Sequence, residues 1–253
     1  MSPEILSPQI ILIVSVGFLL GGILKGATGF GAPMIAVPLL AAAVDVRFAV
    51  VVFSLPNLVP NLWQTWAFRK TALPRPFLLR FVGAGMVGSV VGTIVLSVAR
   101  TDILMLGVAV VVLLYIGLRL SRPHWQLAYD PACRWAWLPG LLAGISQTAA
   151  GLSAPISITF LNAMKLDRLT FMPTISCFFA GLGVVQIPML VGMGFLDGPK
   201  ALLSAGALLP LVAGMPIGAW LGRRISPKVF DRIILCVLTL LALRLIWRAI
   251  TGS

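Results

Sequence analysis

Along the chain, long apolar runs alternate with short polar or basic segments, and no stretch shows the every-other-residue alternation of a half-buried strand. The runs place helical segments at 9–44, 48–68, 76–98 and 102–120, then at 137–164, 169–192, 200–222 and 229–250. Most are about 20 residues long, the length that carries a helix across a hydrocarbon core of roughly 30 Å. The pattern predicts an all-α polytopic membrane protein with no soluble domain of useful size between the spans.

The opening segment of each half is too long. As one straight helix, 9–44 would extend about 54 Å, so it must bend or fold back. Its interior supplies the reason: LKGATGFGAPMIAVPLL, Leu24 to Leu40, carries a lysine, three glycines within six residues and two prolines. Gly26 suits a helix C-terminus with positive φ, and Lys25 complements the negative end of the dipole there. Gly29 and Gly31 let the chain turn and expose its amides. A second arm opens at Ala32-Pro33, where the missing proline N–H costs nothing. In the other half Ser153, a good N-cap residue, precedes Ala154-Pro155.

The two opening segments are copies of one another. A shift of 122 residues lays GILKGATGFGAP on GISQTAAGLSAP, and nine of 26 positions from Gly22 to Arg47 are identical. Further on, Ser54 falls on Ser176 and Gln64 on Gln186. With four more residues of shift, Gly88-x-x-x-Gly92 falls on Gly214-x-x-x-Gly218, a spacing that lets helices approach closely in lipid. The chain therefore divides into a first transmembrane repeat (1–120), a cytoplasmic linker (121–136) and a second repeat (137–253) within one membrane domain.

Basic residues choose the orientation. If each opening segment crosses once, they divide 10 to 8 between the two sides; if each enters and returns, they divide 13 to 5, as the positive-inside rule prefers. The first half then starts outside and the second inside. The expected fold is two inverted repeats, each a broken or re-entrant helical hairpin followed by three transmembrane helices, a recurrent plan of secondary transporters.

Composition sharpens this in a few respects. The chain is 59% hydrophobic and 10% charged, with mean hydropathy +1.05, whereas soluble domains carry roughly a quarter charged residues. The net charge of +12 lies between the spans and signals orientation, so no nucleic-acid partner is expected. MSPEILSP has no basic region, so no cleaved signal peptide is expected. Cys133, Cys177 and Cys236 are far apart and the single histidine, His124, lies in the linker, so no catalytic, metal or cofactor site is expected. All seven acidic residues lie near segment ends, away from where proton relays sit. Asp45 and Asp167, beside Arg47 and Arg168, read as surface ion pairs.

Two hairpins entering from opposite faces would bring two helix N-termini toward the membrane centre, where free N–H groups and partial positive charge attract an anion. Lys25 adds a full charge. In SLPNLVPNLWQ, prolines weaken a span whose Asn57, Asn61 and Gln64 share one face. The candidate substrate-binding residues are Lys25, Gly26, Thr28, Gly29, Gly31, Asn57, Asn61 and Gln64 in the first half. In the second they are Gln147, Thr148, Gly151, Ser153, Ser176 and Gln186. Structural roles stay open beside these: Lys25 as a helix cap, the amides as interhelical glue, the serines bonded to their own backbone.

GGILKGATGFGAPMIAVPLL, followed by GISQTAAGLSAP, resembles the sulfite exporter TauE/SafE family, also called the toluene sulfonate uptake permease family. The resemblance spans nearly the whole chain; the first motif is fairly specific and the second degenerate. The family motif maps onto Gly22, Gly26, Gly29, Gly31 and Pro33, and in the second copy onto Gly144, Gly151 and Pro155. The second copy has Thr148 and Ser153 in place of Gly26 and Gly31, which leaves open whether both loops hold the solute. The resemblance implies a multi-pass protein of the bacterial inner membrane that moves sulfite, sulfonates or similar anions. An inside-negative potential favours anion exit by about 2.3 kcal/mol per charge per 100 mV, so export is the reading adopted. Uptake of sulfonate, thiosulfate or another small anion coupled to Na⁺ or H⁺ is the alternative. The expected partners are the small anion and the lipid bilayer, with a homodimer left open.

Overall fold

The computed structural model of the chain describes residues 6–29, 31–121, 126–224 and 227–251. Among the described residues it is all helix: α1 (Pro8–Thr28), α2 (Ala32–Ala43), α3 (Val46–Ala67), α4 (Arg75–Val98), α5 (Thr101–Ser121), α6 (Tyr129–Trp135), α7 (Trp137–Ala150), α8 (Ala154–Ala163), α9 (Arg168–Gly192), α10 (Gly198–Gly206), α11 (Leu208–Arg224) and α12 (Pro227–Thr251). Among the described residues, six stretches are long and apolar enough to cross a membrane: α1, α3, α4, α5, α9 and the α10–α11 unit. The over-long opening segments do fold back, as α1/α2 and as α7/α8, while α6 is a short helix in the stretch expected to be linker. The interruption at Ala207 has a local cause, because Pro210 has no N–H to donate to the carbonyl of Gly206. Of the expected linker, residues 122–125, with His124, lie outside the described residues.

Glycines set the main helix seams. A β-carbon on Gly22 would collide with the Leu211 carbonyl and one on Gly26 with the Met215 carbonyl, while Gly218 lies on the carbonyl of Ile23. This seam joins α1 to α11. The seam between α4 and α7 repeats it with the expected offsets: Gly144 meets the Gly85 carbonyl and Gly92 the Ile145 carbonyl. In both seams residue numbers rise together, so the paired helices run parallel. In lipid such backbone approach gains dispersion contacts that larger side chains would forbid.

The centre is formed by α3 and α9. Leu58 packs on Gly183, Gln64 bonds Ser176 and Thr71 bonds the Leu169 carbonyl, so these two repeat-related helices run antiparallel. Phe81 and Phe178 stack at 4.6 Å between ring centroids beside them. Despite Pro56 and Pro60, α3 is unbroken. Pro56 cannot donate to the Val52 carbonyl, and the Ser204 hydroxyl of α10 does so instead at 2.7 Å, while accepting from the Leu55 amide.

The expected ion pairs at the segment ends are replaced by caps. Asp45 accepts from the Phe48 amide (2.8 Å) and Asp167 from the Thr170 amide (2.6 Å), each satisfying an orphan donor of a first helical turn. Arg47 instead donates to the Leu96 carbonyl at 2.8 Å and to that of Ala99, closing the C-terminus of α4.

Candidate functional site

Each hairpin turns on a glycine in the left-handed region: Gly29 with φ 94° and Gly151 with φ 74°. Gly26 is therefore not a cap. It lies inside α1, which continues to Thr28, and its role is the close approach to α11. In the first turn the Gly29 amide donates to the Lys25 carbonyl (2.6 Å), and the Gly31 amide donates to the Thr28 hydroxyl (3.2 Å). The two amides expected to be exposed are thus already paired. Thr28 can do this because its hydroxyl, anchored on the Leu24 carbonyl at 2.8 Å, still has lone pairs to offer.

The second turn is arranged differently. Gly151 donates to the Gln147 carbonyl at 2.8 Å. Ser153 holds the N-cap position of α8, yet its side chain caps no amide; it accepts from the Ser157 hydroxyl at 3.1 Å. Among the described residues no protein acceptor pairs with the amides of Leu152, Ser153 or Ala154.

The polar side chains gather in two layers rather than one ring. In the first, Lys25, only 3% exposed, donates to Asn61 Oδ1 at 2.9 Å. Asn61 Nδ2 in turn reaches the Asn57 carbonyl (2.6 Å) and Asn57 Oδ1 (3.2 Å). One helical turn on, Ser176 donates to Gln64 Oε1 at 2.9 Å. Among the described residues no carboxylate pairs with Lys25. A buried ammonium without a counter-charge costs several kcal/mol, partly offset here by one amide oxygen.

The second layer joins α7 to α9 and α4. Gln186 Nε2 donates to the Thr148 carbonyl (3.3 Å), and the Thr148 hydroxyl donates toward the carbonyls of Gly144 (3.0 Å) and Ser89 (3.2 Å). Gln147 Nε2 donates to the Gly151 carbonyl at 3.1 Å, while Gln147 Oε1 is buried with no partner. Ser176 and Gln186 are ten residues apart on α9, about 15 Å along the axis. The layers therefore sit at different depths.

Beside the second arms lies a small, half-open apolar pocket, lined by Met34 of α2, Tyr115 of α5, Leu152, Ala154 and Pro155 at the start of α8, and Leu238 of α12 among others. Gly151 abuts Val37, one turn and a half into α2. The cavity was not legible in the polar pattern, since every named wall residue reads as plain core. Ser89 was missed too, although it lies inside the aligned Gly88-x-x-x-Gly92 motif, opposite Met215 in the repeat. Among the described residues no group of three His, Cys, Asp or Glu side chains could hold a metal.

The family model described as "Sulfite exporter TauE/SafE" matches residues 13–245, nearly the whole chain. Comparison with curated proteins and with solved structures gave no match. The chain belongs to the sulfite exporter TauE/SafE family, a family of transporters and not of enzymes, and it is a multi-pass membrane protein.

Proposed function

We propose that this member of the TauE/SafE family exports a small sulfur-containing anion, sulfite or a sulfonate, across the bacterial inner membrane, and that two inverted repeats give the solute access to each side in turn. The observation that carries the reading is Lys25: a cation 97% buried, held by an asparagine oxygen and lacking a carboxylate partner among the described residues. A mobile anion would complete its pairing, and the neutral amides of Asn57 and Asn61 would orient the solute without discharging it.

Three further points support the two-repeat mechanism. The helices α3 and α9 run antiparallel, and each glycine seam joins a hairpin to a helix of the other half. The second arms, α2 and α8, are 12 and 10 residues long, about 18 and 15 Å. That is close to half the bilayer core, so turns near mid-depth follow if each arm ends at a surface. No Asp or Glu lies in the interior of α1–α4, α7–α9 or α11, so an uncoupled route driven by the membrane potential is the simplest energetics.

Sealed vesicles containing the full chain test this. Sulfite or methanesulfonate efflux should rise as the exit side is made electrically positive, and Lys25→Met should reduce it at least tenfold. Flux indifferent to voltage, or flux that needs an imposed Na⁺ or H⁺ gradient, would replace uncoupled export with coupled transport. Cysteine labelling at Ala27 and Ala149, two residues before each turn glycine, from each side would test the opposed insertion of the two turns.

A further inference from the structure

In the first turn the Gly31 amide donates to Thr28, whereas the amide of Ser153, its counterpart in the turn between α7 and α8, has no protein acceptor among the described residues. Three consecutive amides, of Leu152, Ser153 and Ala154, donate to nothing in the protein among the described residues. Beside them is an acceptor with the same deficit: Gln147, 3% exposed, spends its Nε2 on the Gly151 carbonyl, which holds its amide head in the turn, and leaves Oε1 unpaired. Buried groups of both kinds are costly to leave unmade. Leu152, Ala154 and Pro155 also line the small apolar pocket beside the turn.

A fully deprotonated oxyanion would satisfy the amides and be repelled by the Gln147 oxygen, because both are acceptors only. A cation would do the reverse. What fits is a solute carrying acceptor oxygens on one side and a hydroxyl on the other. We propose that this turn binds an oxyanion in its singly protonated form, of the hydrogensulfite class. The amides of Leu152, Ser153 and Ala154 donate to its bare oxygens, and Gln147 Oε1 accepts from its hydroxyl. This rests on the anion-transport reading and goes beyond it in assigning the protonation state of the solute. Sulfonates, whose acid form does not persist near neutrality, would occupy the turn without the fourth bond.

The repeat explains why this position is available. Gln147 corresponds to Lys25, and Gly183 to Asn61. With no side chain at Gly183, Gln147 lacks the partner that Lys25 has. The titratable or charged side chains on the elements packed against α7 and α8 are Arg47 of α3, Arg75 and Arg80 of α4, Asp102, Tyr115 and Arg119 of α5, Tyr129, Asp130, Cys133 and Arg134 of α6, and Arg168 and Cys177 of α9. Among these only Tyr115 lines the cavity.

The test compares sulfite with methanesulfonate, a near-isostere that bears one negative charge and no hydroxyl across the whole range. Binding to the purified full chain in lipid nanodiscs is measured by calorimetry or thermal shift from mildly acidic to mildly alkaline pH. In the acidic limit hydrogensulfite should bind about tenfold more tightly than methanesulfonate, the worth of one hydrogen bond to a charged partner. That advantage should vanish as the pH rises through the second dissociation of the solute, while methanesulfonate stays flat. Gln147→Met should abolish the preference: whatever methanesulfonate affinity is lost as the Gly151 carbonyl is released, hydrogensulfite should lose about tenfold more. Equal affinities, parallel pH profiles for both anions, or a preference that survives Gln147→Met would overturn the inference while leaving anion transport intact. Binding of neither anion would overturn the transport reading as well.

Discussion

The two hairpin turns share one sequence pattern and differ in the polar groups they carry. The first owns the charge: Lys25 is buried on Asn61, and the Gly31 amide of its turn is taken by the Thr28 hydroxyl. The second owns the free donors: its cation position is Gln147, its Asn61 position is Gly183, and three of its amides have no protein acceptor. A helix terminus becomes an anion site only where no side chain has already taken its amides. Thr28 at one turn and an uncapping Ser153 at the other decide that, more than the shared glycine and proline do.

The largest expected effect tests what the halves still share. Gly22→Leu and Gly144→Leu each force a side chain onto a backbone carbonyl that cannot move aside, so both should lose about 3 kcal/mol of stability, or fail to fold. Thermal unfolding in detergent, followed by circular dichroism, reads this. If one variant were tolerated and the other not, the two seams would not be equivalent.

Next comes the difference in charge. Lys25→Met should cost roughly 1.5–3 kcal/mol of anion binding, while Gln147→Met should cost less for a sulfonate. Calorimetric titration with methanesulfonate separates them. Equal losses would place both turns in one symmetric site.

A smaller contrast concerns the repeat-related glutamines. Gln64 accepts a buried 2.9 Å bond from Ser176, and Gln186 makes a longer 3.3 Å bond to a carbonyl. Gln64→Leu strands the Ser176 hydroxyl and should destabilise the fold by about 1–2 kcal/mol, with Gln186→Leu below 1 kcal/mol. Denaturation in mixed micelles would check the order; the reverse order would make Gln186 the tighter joint.

The smallest effect lies outside the membrane. Asp197 caps α10, and hydrogen bonds from the Lys200 side chain and amide hold its carboxyl below the usual range. The matching helix in the first half, α4, begins at Pro74 with no side-chain cap. A depressed carboxyl contributes stability that is present above its unfolded value and fades as acidification passes its folded value. Asp197→Asn should therefore lower stability slightly at neutral pH and not at strongly acidic pH. A pH-independent difference between wild type and variant would sink that assignment.

Much of the architecture could be read from residues alone, and the reasons are local. Segment length against bilayer thickness forces 9–44 and 137–164 to fold back, and small-residue spacing marks the seams of Gly88/Gly92 and Gly214/Gly218. The helix ends were read less well. Gly26 resembled a cap because it follows a lysine in a glycine-rich stretch, yet α1 runs two residues further, since Gly26 is needed where α11 crosses. Asp45 and Asp167 looked like ion-pair partners of neighbouring arginines, but a first-turn amide three residues on is nearer and already orphaned.

By itself, the sequence determined that this chain is a membrane protein of two matching halves, each opening on a broken hairpin. Hydrophobic length, glycine and proline act on a few neighbouring residues and carry that information in order along the chain. Only the tertiary structure decided which donors and acceptors remain unspent. Lys25 meets Asn61 across 36 residues and Ser176 meets Gln64 across 112, while Gln147 Oε1 meets nothing. Whether a buried polar group is paired depends on which helix faces it across a seam, and periodicity along one helix holds no record of that.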